Sequence, residues 1–184
     1  MLKKSIVLLT VLLVSAGMLF AQSFSNSDKW SLFDDKGDNG SSKISRKSEI
    51  VNIDGNDVLS VTLTGTVTTK FQYGYAGATA DGDPAVIEAL KSASAITFKT
   101  KGDGKTYRVR VETSNVTDYD YFGFVFTAPK GKAVEVTVPY SKLKQEGWGA
   151  PKKFDAANAK KVSFQTVGQP IESFEFTIID LKPV

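Results

Sequence analysis

The chain has 184 residues, with 23 Lys and Arg against 20 Asp and Glu, a formal net charge of +3, and neither His nor Cys. Lacking those two residue types, it has no imidazole general base, none of the usual zinc ligands, no thiol nucleophile and no disulfide. The charge is nearly balanced and no block of one sign occurs, so nothing marks the chain for nucleic acid.

The first 21 residues place Lys3 and Lys4 ahead of an apolar run from Ile6 to Val14, then small residues ending at Ala21. That order is the pattern of a secretory signal peptide, and the run is too short for a membrane span of about 20 residues. Cleavage after Ala21 would leave 184 − 21 = 163 residues with 21 basic and 20 acidic side chains. The expectation is a periplasmic or secreted protein of one domain, with no membrane span after cleavage. Residues 22–29 read as a flexible lead-in and residues 30–184 as the domain itself.

From Trp30 onward the pattern has period two, the repeat of half-buried strands. WSLFDD (30–35) is a first strand, and GDNGSSKISRKS (37–48) reads as a Gly- and Ser-rich loop. EIVNI (49–53) and VLSVTLTG (58–65) flank DGND, a hairpin turn signal. KFQYGYAG (70–77) follows as a strand with Phe71, Tyr73 and Tyr75 on one side. DPAVIEALKSAS (83–94) is the single helix candidate: Pro84 suits the first turn, and Val86, Ile87 and Leu90 form a short apolar stripe. Six further strands are expected at 95–102, 105–113, 120–128, 133–140, 160–168 and 173–181. The first two of these look like a hairpin closed by Gly-Asp-Gly-Lys. A long connection covers 140–160. About nine strands, one minor helix and no repeat predict an all-β, antiparallel two-sheet sandwich of jelly-roll type with one short helix.

Six pieces of this chain, in register, resemble one family. They are WSLFDD, GDNGSS, YGYAG, ITFKTKGDGKTYRVRV, VTVPYSKLKQEG and FEFTIIDL, which together cover Trp30 to Leu181. In this order they resemble the complex I intermediate-associated protein type of domain, itself similar to family 11 carbohydrate-binding modules. The resemblance implies a galactose-binding-like jelly roll that acts as a binding module or an interaction domain, and not as an enzyme. Jelly rolls of this kind carry structural calcium where first and last strands meet, which would fall on Asp34, Asp35 and Asp180. The competing reading is that these acids cap turns or pair with lysines. No cofactor is otherwise required.

The candidate binding residues follow from strand phase and from exposed aromatic character. Sugar rings present apolar C–H faces that stack on Tyr and Trp, while polar side chains fix the hydroxyls. Tyr73 and Tyr75, Tyr119 and Tyr121, and Trp148 in QEGWGAP are the aromatic candidates. Arg108 and Arg110 alternate with the apolar Tyr107, Val109 and Val111, and their forked donors suit hydroxyls or a uronic-acid carboxylate. Gln165 lies in opposite phase to Phe164 and joins them. For the aromatics the alternative is a place in the core, and for the arginines it is cross-strand pairing with Glu or Asp. A glycosidase would need two carboxylates roughly 5–9.5 Å apart in a cleft. Asp118 and Asp120 are the one pair that looks alternated, and no catalytic motif accompanies them. The expected partner is a polysaccharide or oligosaccharide held on one sheet face. The alternative is an envelope protein bound by the same sandwich in a structural or assembly role.

Overall fold

A computed structural model describes residues 22–184. The expected signal peptide, residues 1–21, lies outside them. In chain order the strands are β1 (Trp30–Asp34), β2 (Lys43–Ile53), β3 (Asn56–Val67) and β4 (Ala76–Asp81), then helix α1 (Pro84–Ser92). After it come β5 (Ala95–Gly102), β6 (Thr106–Thr113), β7 (Phe122–Thr127), β8 (Val134–Pro139), β9 (Ala159–Thr166) and β10 (Ile171–Pro183). They form two antiparallel five-stranded sheets: a front sheet ordered β1-β4-β9-β6-β7 and a back sheet ordered β2-β3-β10-β5-β8. The two-sheet jelly roll expected from the alternating pattern is the observed architecture.

Alternation along each strand supplies the core between the sheets. Ala76, Ala78 and Ala80 of β4, Tyr107, Val109 and Val111 of β6, and Val162 and Phe164 of β9 face inward from the front. Val61 and Leu63 of β3, Phe98 of β5, and Phe176 and Ile178 of β10 meet them from the back. Tyr107 stacks on Phe176 with ring centroids 3.8 Å apart, and Trp30 lies parallel to Phe164 at 5.9 Å. Each such ring contributes roughly 1.5–3 kcal/mol through burial. Helix α1 begins with Pro84 in its first turn and buries Val86 and Leu90. The Tyr140 hydroxyl, itself almost covered, donates to the Leu90 carbonyl at 2.8 Å and ties the helix to the end of β8.

Four expectations need correction. The Gly-Asp-Gly-Lys turn does not close a hairpin, because β5 pairs with β10 and β8 while β6 pairs with β7 and β9. It is a corner that carries the chain from the back sheet to the front one. Asp103 builds it, accepting from the Lys105 backbone N–H, the Tyr107 hydroxyl and the Glu175 N–H. Gly104 turns through φ +87°, where glycine pays no Cβ penalty. Second, residues 43–48 belong to β2, whose eleven residues pair with β3 throughout. Third, residues 70–75 are a loop, and the strand there starts only at Ala76. Fourth, the stretch 22–29 is docked: Phe24 is buried, and its backbone N–H donates to the Leu181 carbonyl at 2.9 Å.

Candidate functional site

The outer side of the front sheet is ordered by strand register into rows. Phe33, Gly77, Gln165, Arg108 and Val125 stand side by side across β1, β4, β9, β6 and β7. The next row holds Thr79, Ser163, Arg110 and Gly123, and the one after it Asp81, Lys161 and Glu112. Two glycines shape this floor by close approach. A Cβ on Gly77 would fall 2.4 Å from the Phe33 ring, and one on Gly123 would fall 2.8 Å from the Arg108 stem. Both side chains therefore lie flat across the neighbouring strand.

One wall rises from the loop before β4. Phe71 meets Tyr73 edge to face at 5.8 Å and Tyr75 at 6.5 Å, and Tyr75 also leans on Phe33. The Gln169 side-chain amide clasps this loop, accepting from the Gly74 N–H and donating to the Gln72 carbonyl. The Tyr75 hydroxyl donates to Asp38 at 2.8 Å. Burial, then this carboxylate, push the Tyr75 pKa up to about 12.

The opposite wall joins residues 118–121 to the long connection after β8. Asp120 is buried, and its carboxylate accepts the backbone N–H groups of Glu146, Gly147 and Gly149 at 2.8–3.0 Å. Asp118 accepts the Ala150 N–H at 2.6 Å, and this hydrogen bond holds its pKa below the ordinary carboxylate value. Asp118 and Asp120 therefore do not alternate on a strand face; they lie ahead of β7 and bind a loop. A carboxyl kept ionised in this way is unsuited to act as the general acid of a glycosidase. What the pair does is present Glu146 and Trp148 to the groove.

Between the walls is a groove of about 1180 Å³. It brings together all eight expected binding residues: Tyr73, Tyr75, Arg108, Arg110, Tyr119, Tyr121, Trp148 and Gln165. Three of the rings are open to solvent, Tyr73 at 69%, Tyr119 at 70% and Trp148 at 60%. None of these three fills the core. The arginines do have an acidic partner, although it comes from no neighbouring strand. Glu146 Oε1 contacts the guanidinium of Arg108 and accepts from Arg110 at 3.0 Å. Burial lowers the pKa of Arg110 and Glu146 opposes that shift; the guanidinium stays charged at neutral pH.

Phase along the strands could not point to Glu146, because a loop delivers it. Phe33, Gln72, Gln169, Lys161 and Glu112 also line the groove and had not been singled out. Gln165 in VSFQTVG was legible by phase, and Lys161 on the same strand follows the same rule.

The acids considered for calcium sit with other partners. Asp34 accepts the Lys36 backbone N–H, Asp35 accepts the Ser42 N–H and hydroxyl, and Asp180 pairs with Lys182. Among the described residues no three His, Cys, Asp or Glu side chains gather into a metal-holding group.

The class the fold defines is a two-sheet antiparallel jelly roll, and its front face carries an aromatic-walled, arginine-floored groove. Residues 18–178 match the family described as Complex I intermediate-associated protein 30 (CIA30), and the chain belongs to that family. No curated protein sequence matches it. Among solved structures it is similar to the family 11 carbohydrate-binding module of a cellulosomal cellulase from Clostridium thermocellum. That similarity has a TM-score of 0.55 and 18% identity over 89% of this chain and 92% of that one. A second structure, the family 11 module from the same organism in complex with a β-1,3-1,4-mixed-linked tetrasaccharide, matches with TM-score 0.54 and 18% identity. It covers 88% of this chain and 93% of that one. At such identity the likeness shows the fold alone.

Proposed function

We propose that the protein is a non-catalytic glycan-binding module of an exported kind, holding a polysaccharide or oligosaccharide chain in the front-sheet groove. The observation that carries this reading is the meeting of solvent-exposed Tyr73, Tyr119 and Trp148 with Arg108, Arg110 and Gln165 in one groove. An exposed ring loses little by staying rigid, and it offers a sugar an apolar face that water does not satisfy. The arginines and glutamine supply the directed donors that orient hydroxyls. The resolved tetrasaccharide complex of a similarly folded module supports the reading by analogy.

Affinity electrophoresis of the folded protein through gels containing a panel of polysaccharides tests it. Retardation by at least one glycan is expected, and Trp148→Ala should remove most of it. A stacked ring contributes about 1 kcal/mol or more, so a loss of fivefold or greater is anticipated. A folded protein that no glycan retards would overturn the proposal. Capture of an envelope protein under the same conditions would then favour the assembly role.

A further inference from the structure

The floor of the groove holds more positive charge than its one contacting carboxylate neutralises. Arg108 and Arg110 are two residues apart on one face of β6, a separation of roughly 7 Å along the strand. Two like charges so placed repel unless an anion lies between them. Here that anion is one oxygen, Glu146 Oε1, shared by both guanidiniums. The Arg110 Nε–H is buried without a partner, and so is the hydroxyl of Ser163, which stands opposite Arg110 in the register. Two further carboxylates line the groove, and Glu112 also acts on Arg110 through its charge, though neither touches the two guanidiniums. Glu112 lies 3.6 Å from Lys161, and Asp38 accepts from the Tyr75 hydroxyl.

Glu146 is also replaceable. Its loop is held by its backbone N–H on Asp120 rather than by its carboxylate, so the side chain can leave the arginines without the wall collapsing. A neutral sugar hydroxyl brings no charge to this position. An acid group on a sugar ring brings the charge and the paired acceptor oxygens that guanidinium forks match.

We infer that the groove selects an anionic glycan, with the carboxylate or sulfate of one ring seated on Arg108 and Arg110 in place of, or beside, Glu146. This rests on the glycan-binding reading above and narrows its ligand class. Lys161 and the neighbouring Tyr119, Tyr121 and Trp148 would flank the acidic ring.

Three ligands compared on one protein test it: polygalacturonate oligomers, a sulfated galactan and a neutral mixed-linkage β-glucan, each titrated by calorimetry. The expected result is tighter binding of the uronate or the sulfated chain than of the neutral one, and whichever acid wins names the substituent. Arg110→Lys keeps the charge but loses the fork and the Nε donor, and should weaken the acidic ligand about tenfold. Lys101→Gln, on the outer side of the back sheet, removes a charge elsewhere and should change nothing. Glu146→Gln should bind the acidic ligand at least as tightly as the parent, and a clear weakening would count against the inference. Equal or stronger binding of the neutral glucan overturns the anionic preference while leaving a glycan module standing. Binding of none of the three overturns the anionic preference, and the polysaccharide panel then decides whether the glycan reading stands. Indifference to Arg110→Lys, or an equal loss in Lys101→Gln, reduces the effect to bulk charge and overturns the site.

Discussion

The outer faces of the two sheets obey the same alternation and have become different objects. On the back sheet Lys47, Thr62, Thr177 and Lys101 stand in one row, with the Thr62 and Thr177 hydroxyls 3.0 Å apart and those of Ser45 and Thr64 2.8 Å apart. These hydroxyls satisfy one another. On the front sheet the corresponding rows hold Gln165, Arg108, Ser163 and Arg110, with donors left over. The groove between the walls takes residues from the front sheet and its loops and none from the back-sheet strands. A polar strand face is what solubility demands of any such sheet. Connections that fold over the face and bring rings and a carboxylate turn it into a site.

The largest effect expected from breaking this contrast is at Asp120. Replacing it with Ala leaves the N–H groups of Glu146, Gly147 and Gly149 without their acceptor, at a cost of about 3 kcal/mol. Urea unfolding would measure the loss of stability. Glycan affinity should fall with it, because Trp148 loses its support. Retained affinity in a folded Asp120→Ala protein would mean that the wall is dispensable and that the contrast between the faces lies in the strands alone.

A smaller effect belongs to Tyr75. Its pKa is raised from 10.0 to about 12, so the folded state favours the protonated phenol. The stability tied to that proton is fully present below pH 10 and is lost as pH rises towards 12. Burial also raises Tyr107, Tyr121 and Tyr140, so phenolate absorbance during alkaline titration should show several late components, and Tyr75→Phe should remove the one near 12. Titration of every tyrosine together near the ordinary value would contradict the packing of this wall. The least effect is expected from Thr62→Val on the back sheet. Loss of one hydroxyl pair should cost under about 1 kcal/mol and leave glycan binding unchanged. A marked change in binding would show that the back face takes part after all.

Much of the fold was legible because period-two alternation is local. It placed Tyr107, Val109 and Val111 in the core and Arg108 and Arg110 outside, while the equally local helical spacing gave α1 its buried Val86 and Leu90. Errors fell where distant partners decide. The Gly-Asp-Gly-Lys turn reads as a hairpin because the local signal for a reversal is the same whether the next strand pairs with its neighbour or changes sheet. Asp103, tied to Glu175 of β10 as well as to Lys105 and Tyr107, makes it a corner. Burial alone would raise the pKa of this carboxyl, but those hydrogen bonds outweigh it and lower the value. Residues 70–75 look like a strand by alternation, yet Gln169, almost a hundred positions later, clasps them as a loop.

The chain by itself therefore determined which strand side chains face the core and that Arg108 and Arg110 stay outside, since each follows from neighbours one or two positions away. Only the tertiary structure decided that those outer residues share one groove and that Glu146 bridges the two arginines. It also decided that Asp118 and Asp120 anchor a loop through its backbone N–H groups. Such outcomes depend on contacts between residues 26 to 38 positions apart, where no local period survives to carry the information.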